Sequence, residues 1–279
     1  MEEKKNSLEF ILSEVERHGH DMKTLKIIKI GGNIIDNDAA LASFLEAFAA
    51  IESPKLLIHG GGKLATQLAN QLGLEVKMID GRRITDQATL DLITMVYAGK
   101  INKNIVAQLQ SKNCNAIGFS GADGNTIRSK KRPVTTTDFG FVGDVEKVDT
   151  KILQVLLDHK VTPVFCSLTH DKKGQLLNTN ADTIASELAI AFADHYQTEL
   201  YYCFEKNGVM RDIADESSVI KKITTHSYQG LIDDKIIVDG MLPKLNNCIH
   251  AVQKNVYKVC IGKSEMLFDA TANFTTITK

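Results

Sequence analysis

Short apolar runs alternate with longer amphipathic segments along most of the chain. Six runs of four to six residues predict β-strands at 25–30, 55–58, 116–119, 162–166, 200–204 and 256–261. Helical spacing of apolar positions, several with Asp or Pro near the start, predicts helices at 38–51, 62–72, 86–110, 149–159, 181–193 and 244–254. This alternation is typical of βα units, and it predicts an α/β fold with a mostly parallel sheet.

Two segments depart from that alternation. Residues 128–148 contain a threonine run, one proline and two glycines, and we expect a β-hairpin there. Residues 1–22 carry one apolar helical stripe and predict an N-terminal helical extension, either docked on a neighbour or frayed. We expect the remainder to divide near residue 178 into an N-terminal lobe, 23–177, and a C-terminal lobe, 178–279.

Composition narrows the class of protein. Of the 279 residues, 43% are hydrophobic and 24% are charged, which excludes a mainly disordered chain. The formal net charge of −1 gives no general attraction to nucleic acid or to anionic membranes. The apolar runs are far shorter than the roughly 20 residues of a membrane helix, and the N-terminus does not resemble a secretory signal. We therefore expect a cytoplasmic protein that does not bind nucleic acid or span a membrane.

The five cysteines are scattered, without any C-x-x-C pair, and are interpreted as buried free thiols of a reducing compartment. The eight histidines form no convincing pair of metal ligands, since His18 and His20 would point in different directions on a helix. No protein-held metal site is predicted.

Glycine-rich turns follow the first two predicted strands. Gly31 and Gly32 follow one strand, and Gly60, Gly61 and Gly62 follow the next, each turn preceding a helical pattern. Such turns expose backbone N–H groups at the positive end of a helix, which suits anionic oxygens, although glycine also permits a tight turn without any ligand. Neither turn matches a Walker A loop or a G-x-G-x-x-G fingerprint, so P-loop ATPases and Rossmann dehydrogenases are disfavoured.

Charged residues stand where an anion would stabilise them. Lys29 lies at the end of an apolar strand, and Lys244 lies in a first helical turn beside Pro243. Asp182, in the first turn of another helix, would hold both lysines if it faced them. Arg83 follows a turn, and a guanidinium binds a carboxylate with two hydrogen bonds. Each of these residues taken alone has a simpler explanation as a solvated charge or a helix cap.

Six motifs in sequence order resemble those of the acetylglutamate kinases of the amino-acid kinase family, over roughly residues 25–262. They are KIGG at 29–32, HGGG at 59–62, GRRIT at 81–85, GFSGADG at 118–124, NTNAD at 178–182 and DGMLPK at 239–244. The resemblance implies a three-layer αβα sandwich and an ATP-dependent kinase of arginine biosynthesis. Such an enzyme phosphorylates the side-chain carboxylate of N-acetyl-L-glutamate, with Mg²⁺ arriving on the ATP.

The resemblance also implies residue roles. Lys29 and Lys244 would be catalytic, neutralising the moving phosphoryl group and the leaving ADP, and Asp182 would orient them. Gly61, Gly62, Arg83 and Asn178 would bind the substrate. The nucleotide would contact Gly31, Gly32, Glu205, Lys206, Asn207, Gly208, Val209, Met210, Ile236, Ile237 and Val238.

Two features differ from the family pattern. Glu205 stands where relatives usually carry Asp, and the C-terminus lacks the glycine-bearing tail of arginine-inhibited relatives.

The resemblance also implies an oligomer, either a homodimer or a hexamer built through the N-terminal helix. N-succinyl-L-glutamate kinase, a non-catalytic acetylglutamate or arginine sensor, and aspartokinase remain alternatives, the sensor disfavoured because both lysines and the aspartate are present.

Overall fold

The computed structural model describes residues 22–79, 81–212, 214–234, 236–237, 241–269 and 271–279. The predicted N-terminal extension therefore lies outside the described residues, apart from Met22. Among the helices of the described part, none is long and apolar enough to cross a membrane.

A central sheet of eight strands forms the middle of the molecule. Numbered in chain order over all sheets, the strands are β1 Thr24–Ile30, β2 Lys55–His59, β3 Met78–Ile79, β4 Arg82–Arg83, β5 Ala116–Phe119, β6 Ile127–Lys131, β7 Gly143–Val148, β8 Thr162–Phe165, β9 Leu168–His170, β10 Leu176–Asn178, β11 Gln197–Cys203, β12 Lys222–Thr224, β13 Lys258–Gly262 and β14 Thr275–Thr278. The order across the sheet is β12-β14-β13-β11-β1-β2-β8-β5. Every pairing is parallel except that of β13 with β14. The predicted parallel sheet is confirmed.

Helices cover both faces of this sheet. They are α1 Gly32–Ile35, α2 Asp38–Ala49, α3 Gly62–Gln71, α4 Gln87–Ile93, α5 Asn102–Gln110, α6 Lys151–Asp158, α7 Ala181–Phe192, α8 Tyr228–Asp233 and α9 Leu242–Gln253. One buried cluster packs α6 to α9 on one face of the sheet, and a second packs α1 to α5 on the other. Strand residues alternate between the two clusters: Ile27 belongs to the first and Ile28 to the second. The molecule is thus the three-layer αβα sandwich that the resemblance implied.

The predicted hairpin is confirmed and belongs to a second sheet. Strands β6 and β7 pair antiparallel, and β9 and β10 complete a four-stranded sheet in the order β10-β9-β6-β7.

The predicted helix 86–110 differs from the structure in one respect. It runs as α4 and α5 joined by a π-helical segment, Thr94–Ile101, which brings Val96, Tyr97 and Ile101 into the core. π-helical turns are frequent at functional sites.

All five cysteines are buried and free, as predicted. Burial raises the pKa of Cys166 to about 12 and that of Cys260 to about 11, although a hydrogen bond and neighbouring charges partly oppose the rise. These thiols stay protonated at neutral pH and are structural rather than reactive.

Candidate active site

A cleft of about 230 Å³ opens near the carboxyl ends of β1 and β2. Crevices outside the carboxyl ends of parallel strands are the usual ligand sites of open α/β sheets. Six of the predicted catalytic and substrate-binding residues line it: Lys29, Gly61, Gly62, Arg83, Asn178 and Asp182. The fold therefore gathers residues that are up to 153 positions apart in the sequence, from Lys29 to Asp182.

One carboxylate joins the two predicted catalytic lysines. The Nζ atom of Lys29 lies 2.8 Å from Oδ1 of Asp182, and Nζ of Lys244 lies 3.9 Å from Oδ2. The three side chains keep 15%, 24% and 18% of their surface exposed for Lys29, Lys244 and Asp182 respectively. Partial exposure leaves the ammonium groups accessible to a ligand while the carboxylate fixes their positions.

The charge state of Asp182 follows from its neighbours. Burial by itself raises the pKa of this carboxyl, but the positive charges of Lys29 and Lys244 outweigh that effect, so that the pKa lies below its ordinary value. Asp182 is therefore ionised at neutral pH, and it offsets one of the two positive charges beside it.

Each member of this trio is held by its own element. Asn180 caps α7, accepting hydrogen bonds from the amides of Asp182 at 2.7 Å and Thr183 at 3.2 Å. The Tyr202 hydroxyl donates to the backbone carbonyl of Asp182 at 2.9 Å, tying the start of α7 to β11. Lys244 lies in the first turn of α9, with its Nζ 4.9 Å from the centre of the Phe204 ring.

The second glycine turn depends on close packing. A Cβ atom at Gly61, where φ is +157°, would lie 2.3 Å from Cδ1 of Ile101 and 2.9 Å from Cδ1 of Tyr97. The π-helical segment thus presses against the turn, and only glycine fits there. His59, which precedes the turn, is fully buried, with Nδ1 2.8 Å from the Gly60 carbonyl oxygen. Burial lowers its pKa to about 4, despite the opposing effect of this hydrogen bond.

Arg83 and Asn178 are connected through Thr85. The Nη2 atom of Arg83 donates to the Gly62 carbonyl at 3.0 Å and to Oγ1 of Thr66 at 2.8 Å. The Thr85 hydroxyl donates to the Arg83 carbonyl at 3.1 Å and accepts from Nδ2 of Asn178 at 3.0 Å. These bonds hold a buried guanidinium and an amide beside the cleft in fixed directions.

The predicted nucleotide-binding segment lies at the carboxyl ends of β11 and β13, the two strands that follow β1 across the central sheet. Residues 205–210 follow β11, and a Cβ atom at Gly262, the last residue of β13, would lie 2.8 Å from the Asn207 carbonyl oxygen. The first glycine turn adjoins this region, because a Cβ atom at Gly31 would lie 3.7 Å from the Cys203 carbonyl oxygen and 3.9 Å from Lys29 Nζ. The segment therefore begins beside the ammonium group of Lys29.

Several of the residues predicted to bind the nucleotide also form hydrogen bonds within the protein. Val209 is buried, and its amide donates to Oγ1 of Thr275 at 2.8 Å. The amides of Ile236 and Ile237 donate to the Leu231 carbonyl at 3.1 and 3.2 Å, and Ile237 is buried. Val238 lies outside the described residues, as do Asp239 and Gly240 of the DGMLPK motif.

Sequence reasoning missed several side chains of the cleft, among them Tyr97, Arg132 and Asp144. Tyr97 comes from the π-helical segment, and Arg132 and Asp144 come from the hairpin. Burial raises the pKa of Tyr97, and the adjacent Arg83 guanidinium opposes the rise. The available signal was the pairing of two hairpin strands, which places residues at 132 and 144 close together. That signal does not reveal that the hairpin faces the cleft.

The described residues contain no group of three His, Cys, Asp or Glu side chains arranged to hold a metal ion. Asp182, the carboxylate nearest the two lysines, is engaged by both of them.

Comparison with known proteins identifies the relatives of this fold. The model of the amino acid kinase family matches residues 24–263. The chain belongs to the amino acid kinase family. It is 53% identical to the acetylglutamate kinase of Cytophaga hutchinsonii over 89% of this chain and 94% of that protein. It is 54% identical to the acetylglutamate kinase of Phocaeicola vulgatus over 85% of this chain and 92% of that protein.

The structural comparison agrees with the sequence comparison. A crystal structure from Streptococcus mutans UA159 matches with a TM-score of 0.74 and 26% identity, covering 91% of this chain and 98% of that one. The predicted α/β class is confirmed, and so is the resemblance to the acetylglutamate kinases of the amino acid kinase family.

Proposed function

We propose that the chain is an ATP-dependent kinase that transfers the γ-phosphoryl group of ATP to the side-chain carboxylate of N-acetyl-L-glutamate. The product is N-acetyl-L-glutamyl 5-phosphate, an intermediate of arginine biosynthesis. Relatives more than 50% identical, matched over 92–94% of their own length, carry the name acetylglutamate kinase. The observation that carries the mechanism is the position of Asp182 between Lys29 and Lys244 at a cleft.

The reaction needs positioned charges rather than a general base. A carboxylate is already ionised at neutral pH, so an oxygen of the substrate carboxylate attacks the γ-phosphorus directly. One O–P bond forms as the bond from the γ-phosphorus to the bridging oxygen breaks, and ADP leaves with that electron pair. Negative charge spreads over the phosphoryl oxygens in the loose transition state, and fixed cations stabilise it there.

The two lysines match these requirements. In the proposal, Lys29 neutralises the moving phosphoryl group, because its ammonium group reaches into the cleft beside the glycine turns. Lys244 neutralises the ADP side, from the start of α9. Asp182 contacts both lysines and keeps the distance between their ammonium groups fixed. Because its carboxylate is paired with these two groups, it does not compete with the substrate carboxylate as a nucleophile.

The substrate and nucleotide sites complete the proposal. Arg83 and Asn178 bind the α-carboxylate of the substrate, and the amides of Gly61 and Gly62 contact the attacking carboxylate. The amides of Gly31 and Gly32 contact the phosphates. Glu205, Lys206, Asn207, Gly208, Val209 and Met210, together with Ile236, Ile237 and Val238, form the adenine and ribose pocket. Glu205 in place of the usual aspartate alters the reach of this contact by one methylene.

Mg²⁺ would arrive with ATP, held mainly by phosphate oxygens and water, as is usual for this ion. The donor set of the described cleft fits this arrangement, since Asp182 is already paired with two ammonium groups. The ion would offset phosphate charge, while the lysines act on the oxygens that change charge during transfer.

The alternatives receive less support. The curated relatives favour N-acetyl-L-glutamate and give no support to N-succinyl-L-glutamate or to a non-catalytic sensor. Formation of a homodimer, a cytoplasmic location and a lobe boundary near residue 178 are further parts of the proposal. Buried free thiols favour the reducing location. Size-exclusion chromatography with and without arginine tests the dimer against a hexamer.

The decisive experiment measures ADP release from ATP with N-acetyl-L-glutamate, N-succinyl-L-glutamate, L-glutamate and L-aspartate. Lys29→Met and Lys244→Met should each lower kcat/KM for N-acetyl-L-glutamate by about 10³-fold, a loss of several kcal/mol of transition-state stabilisation. Lys26→Met is the matched control, because Lys26 lies on the same strand, β1, but is not among the residues that line the cleft. Its Nζ atom lies 5.8 Å from the centre of the Tyr201 ring. Absence of ADP release by the unmodified protein, or full turnover by either lysine variant, would overturn the proposal.

A further inference from the structure

The cleft contains a second fixed guanidinium in addition to that of Arg83. Arg132 follows β6, and its amide donates to the Val142 carbonyl at 2.8 Å, extending the hairpin ladder into the cleft wall. This arginine comes from the second sheet, whereas Arg83 comes from β4. The hairpin therefore brings a cation to the substrate side of the site.

The Arg132 side chain is held on two sides. Its Nε lies 3.1 and 3.3 Å from Oδ1 and Oδ2 of Asp144, and its Nη2 also contacts Oδ1. The centre of the guanidinium lies 5.5 Å from the centre of the Phe139 ring. Carboxylate pairing through one edge of the guanidinium, together with the cation–π contact to Phe139, holds the group in place.

The opposite edge of this guanidinium has unused donors. Nη1 of Arg132 is buried and meets no hydrogen-bond partner among the described residues. A buried donor without a partner costs free energy, and native proteins seldom keep one unless a ligand or water satisfies it. Because Arg132 lines the same cleft as Arg83 and Asp182, a bound substrate is the natural acceptor.

The chemistry of the substrate identifies the acceptor atom. N-acetyl-L-glutamate has two carboxylates and one amide carbonyl oxygen. In the proposed function, the amides of Gly61 and Gly62 contact the side-chain carboxylate and Arg83 binds the α-carboxylate, which leaves the carbonyl oxygen. Asp144 cancels the charge of Arg132, so that this pair suits a neutral acceptor better than a third anion.

We propose that Arg132, oriented by Asp144, donates from Nη1 to the carbonyl oxygen of the N-acyl group and so recognises the acylated amino acid. This inference rests on the proposed kinase function. Arg132 is then a substrate-binding residue, and Asp144 is a positioning residue that acts through it.

Steady-state kinetics test the assignment. Arg132→Met should raise KM for N-acetyl-L-glutamate about tenfold to a hundredfold, the usual effect of losing a hydrogen bond from a charged donor, with kcat within about threefold of the unmodified enzyme. The inhibition constant of L-glutamate, which lacks the acyl oxygen, should stay unchanged. Asp144→Asn should raise KM by a smaller factor, since the donor remains but loses its orientation.

Matched controls separate this role from folding. Arg128→Met removes a neighbouring hairpin arginine whose Nε lies 3.6 Å from Oε2 of Glu146, and it should leave KM unchanged. Arg132→Lys keeps the charge but not the fork, and should show the same selective rise in KM if the methionine variant fails to fold.

Two results would overturn the inference. One is an unchanged KM in both Arg132 variants. The other is an equal rise in the inhibition constant of L-glutamate, which would place the guanidinium on the α-carboxylate instead. Failure of the unmodified protein to release ADP would count against the kinase function itself, so the two failures are distinguishable.

Discussion

Replacement of Asp182 by asparagine separates the proposed catalytic role of Lys29 and Lys244 from the contribution of their ion pairs to stability. The change keeps the size of the side chain and removes the negative charge that both ammonium groups share. Because the lysines hold the pKa of Asp182 below its ordinary value, the unmodified carboxyl is ionised throughout the neutral range. The substitution therefore changes the charge of the site at every pH used for the assay.

The distances give the scale of the effect. At an effective dielectric constant of about 20, the attraction amounts to about 6 kcal/mol for Lys29 at 2.8 Å and about 4 kcal/mol for Lys244 at 3.9 Å. Burial of the carboxylate opposes both values. The lysine side chains are 15% and 24% exposed, so they regain water when the partner is removed. We expect unfolding free energy to fall by only about 1–2 kcal/mol, well below the cost for a fully buried pair.

Activity should fall much more than stability. A displacement of about 1 Å in a catalytic group can cost about 10²-fold, and here two groups lose their common anchor, so we expect kcat to fall about 10³-fold. ADP release gives kcat, and urea unfolding gives the free energy of unfolding. Glu187→Gln, the same chemical change on the same helix, is the control. Turnover within about fivefold of the unmodified enzyme would show that Asp182 does not set the positions of the lysines.

Three further predictions concern the cleft and the buried residue that precedes its second glycine turn. Since burial lowers the pKa of His59 to about 4, below its ordinary 6.5, the unfolded state binds a proton first as the pH falls, and about 3 kcal/mol of stability should be lost between pH 6.5 and 4. Gly61→Ala should destabilise the fold by about 1–3 kcal/mol because its Cβ would clash with Ile101 and Tyr97, whereas Gly60→Ala, with open space at its Cβ, should not. Arg83→Lys should raise KM for N-acetyl-L-glutamate about tenfold or more, because lysine lacks the fork that reaches both Thr66 and a carboxylate.

Each of these predictions has a distinct measurement. Urea unfolding between pH 4 and 7 should show a shallower pH dependence in His59→Gln, and an unchanged slope would contradict the assignment. Thermal melting compares the two glycine variants. Equal melting temperatures would contradict the prediction, because they would show that the π-helical segment shifts to accommodate the added methyl group at little cost. For Arg83→Lys, a fall in kcat at unchanged KM would contradict a role in binding the substrate.

Much of the fold follows from local patterns. The run at 25–30 became β1 and the run at 200–204 became most of β11, because buried parallel strands are continuous apolar segments. The helix beginning near 181 was predictable from the Asn180 cap, which the structure contains. The meeting of Lys29, Asp182 and Lys244 was predicted from the ordered motifs, since no local pattern joins residues so far apart.

Other features depend on packing that a single sequence does not reveal. The π-helical segment Thr94–Ile101 has ordinary helical spacing, and its wider turns become visible only where Tyr97 meets Gly61. Strand β14 was not predicted, although its run of β-branched residues was a usable signal. Arg132 resembles a solvated charge in the sequence, and its place in the cleft wall comes from the direction in which the hairpin faces.

The order in which residues leave the ribosome has a consequence for this site. Lys29 and Asp182 are synthesised before α9, which carries Lys244 and is followed by β13 and β14. A chain that ends before α9 lacks the ammonium group of Lys244 and also β13 and β14 of the central sheet. In the proposed mechanism, phosphoryl transfer therefore has to wait until nearly the whole chain has been synthesised and folded.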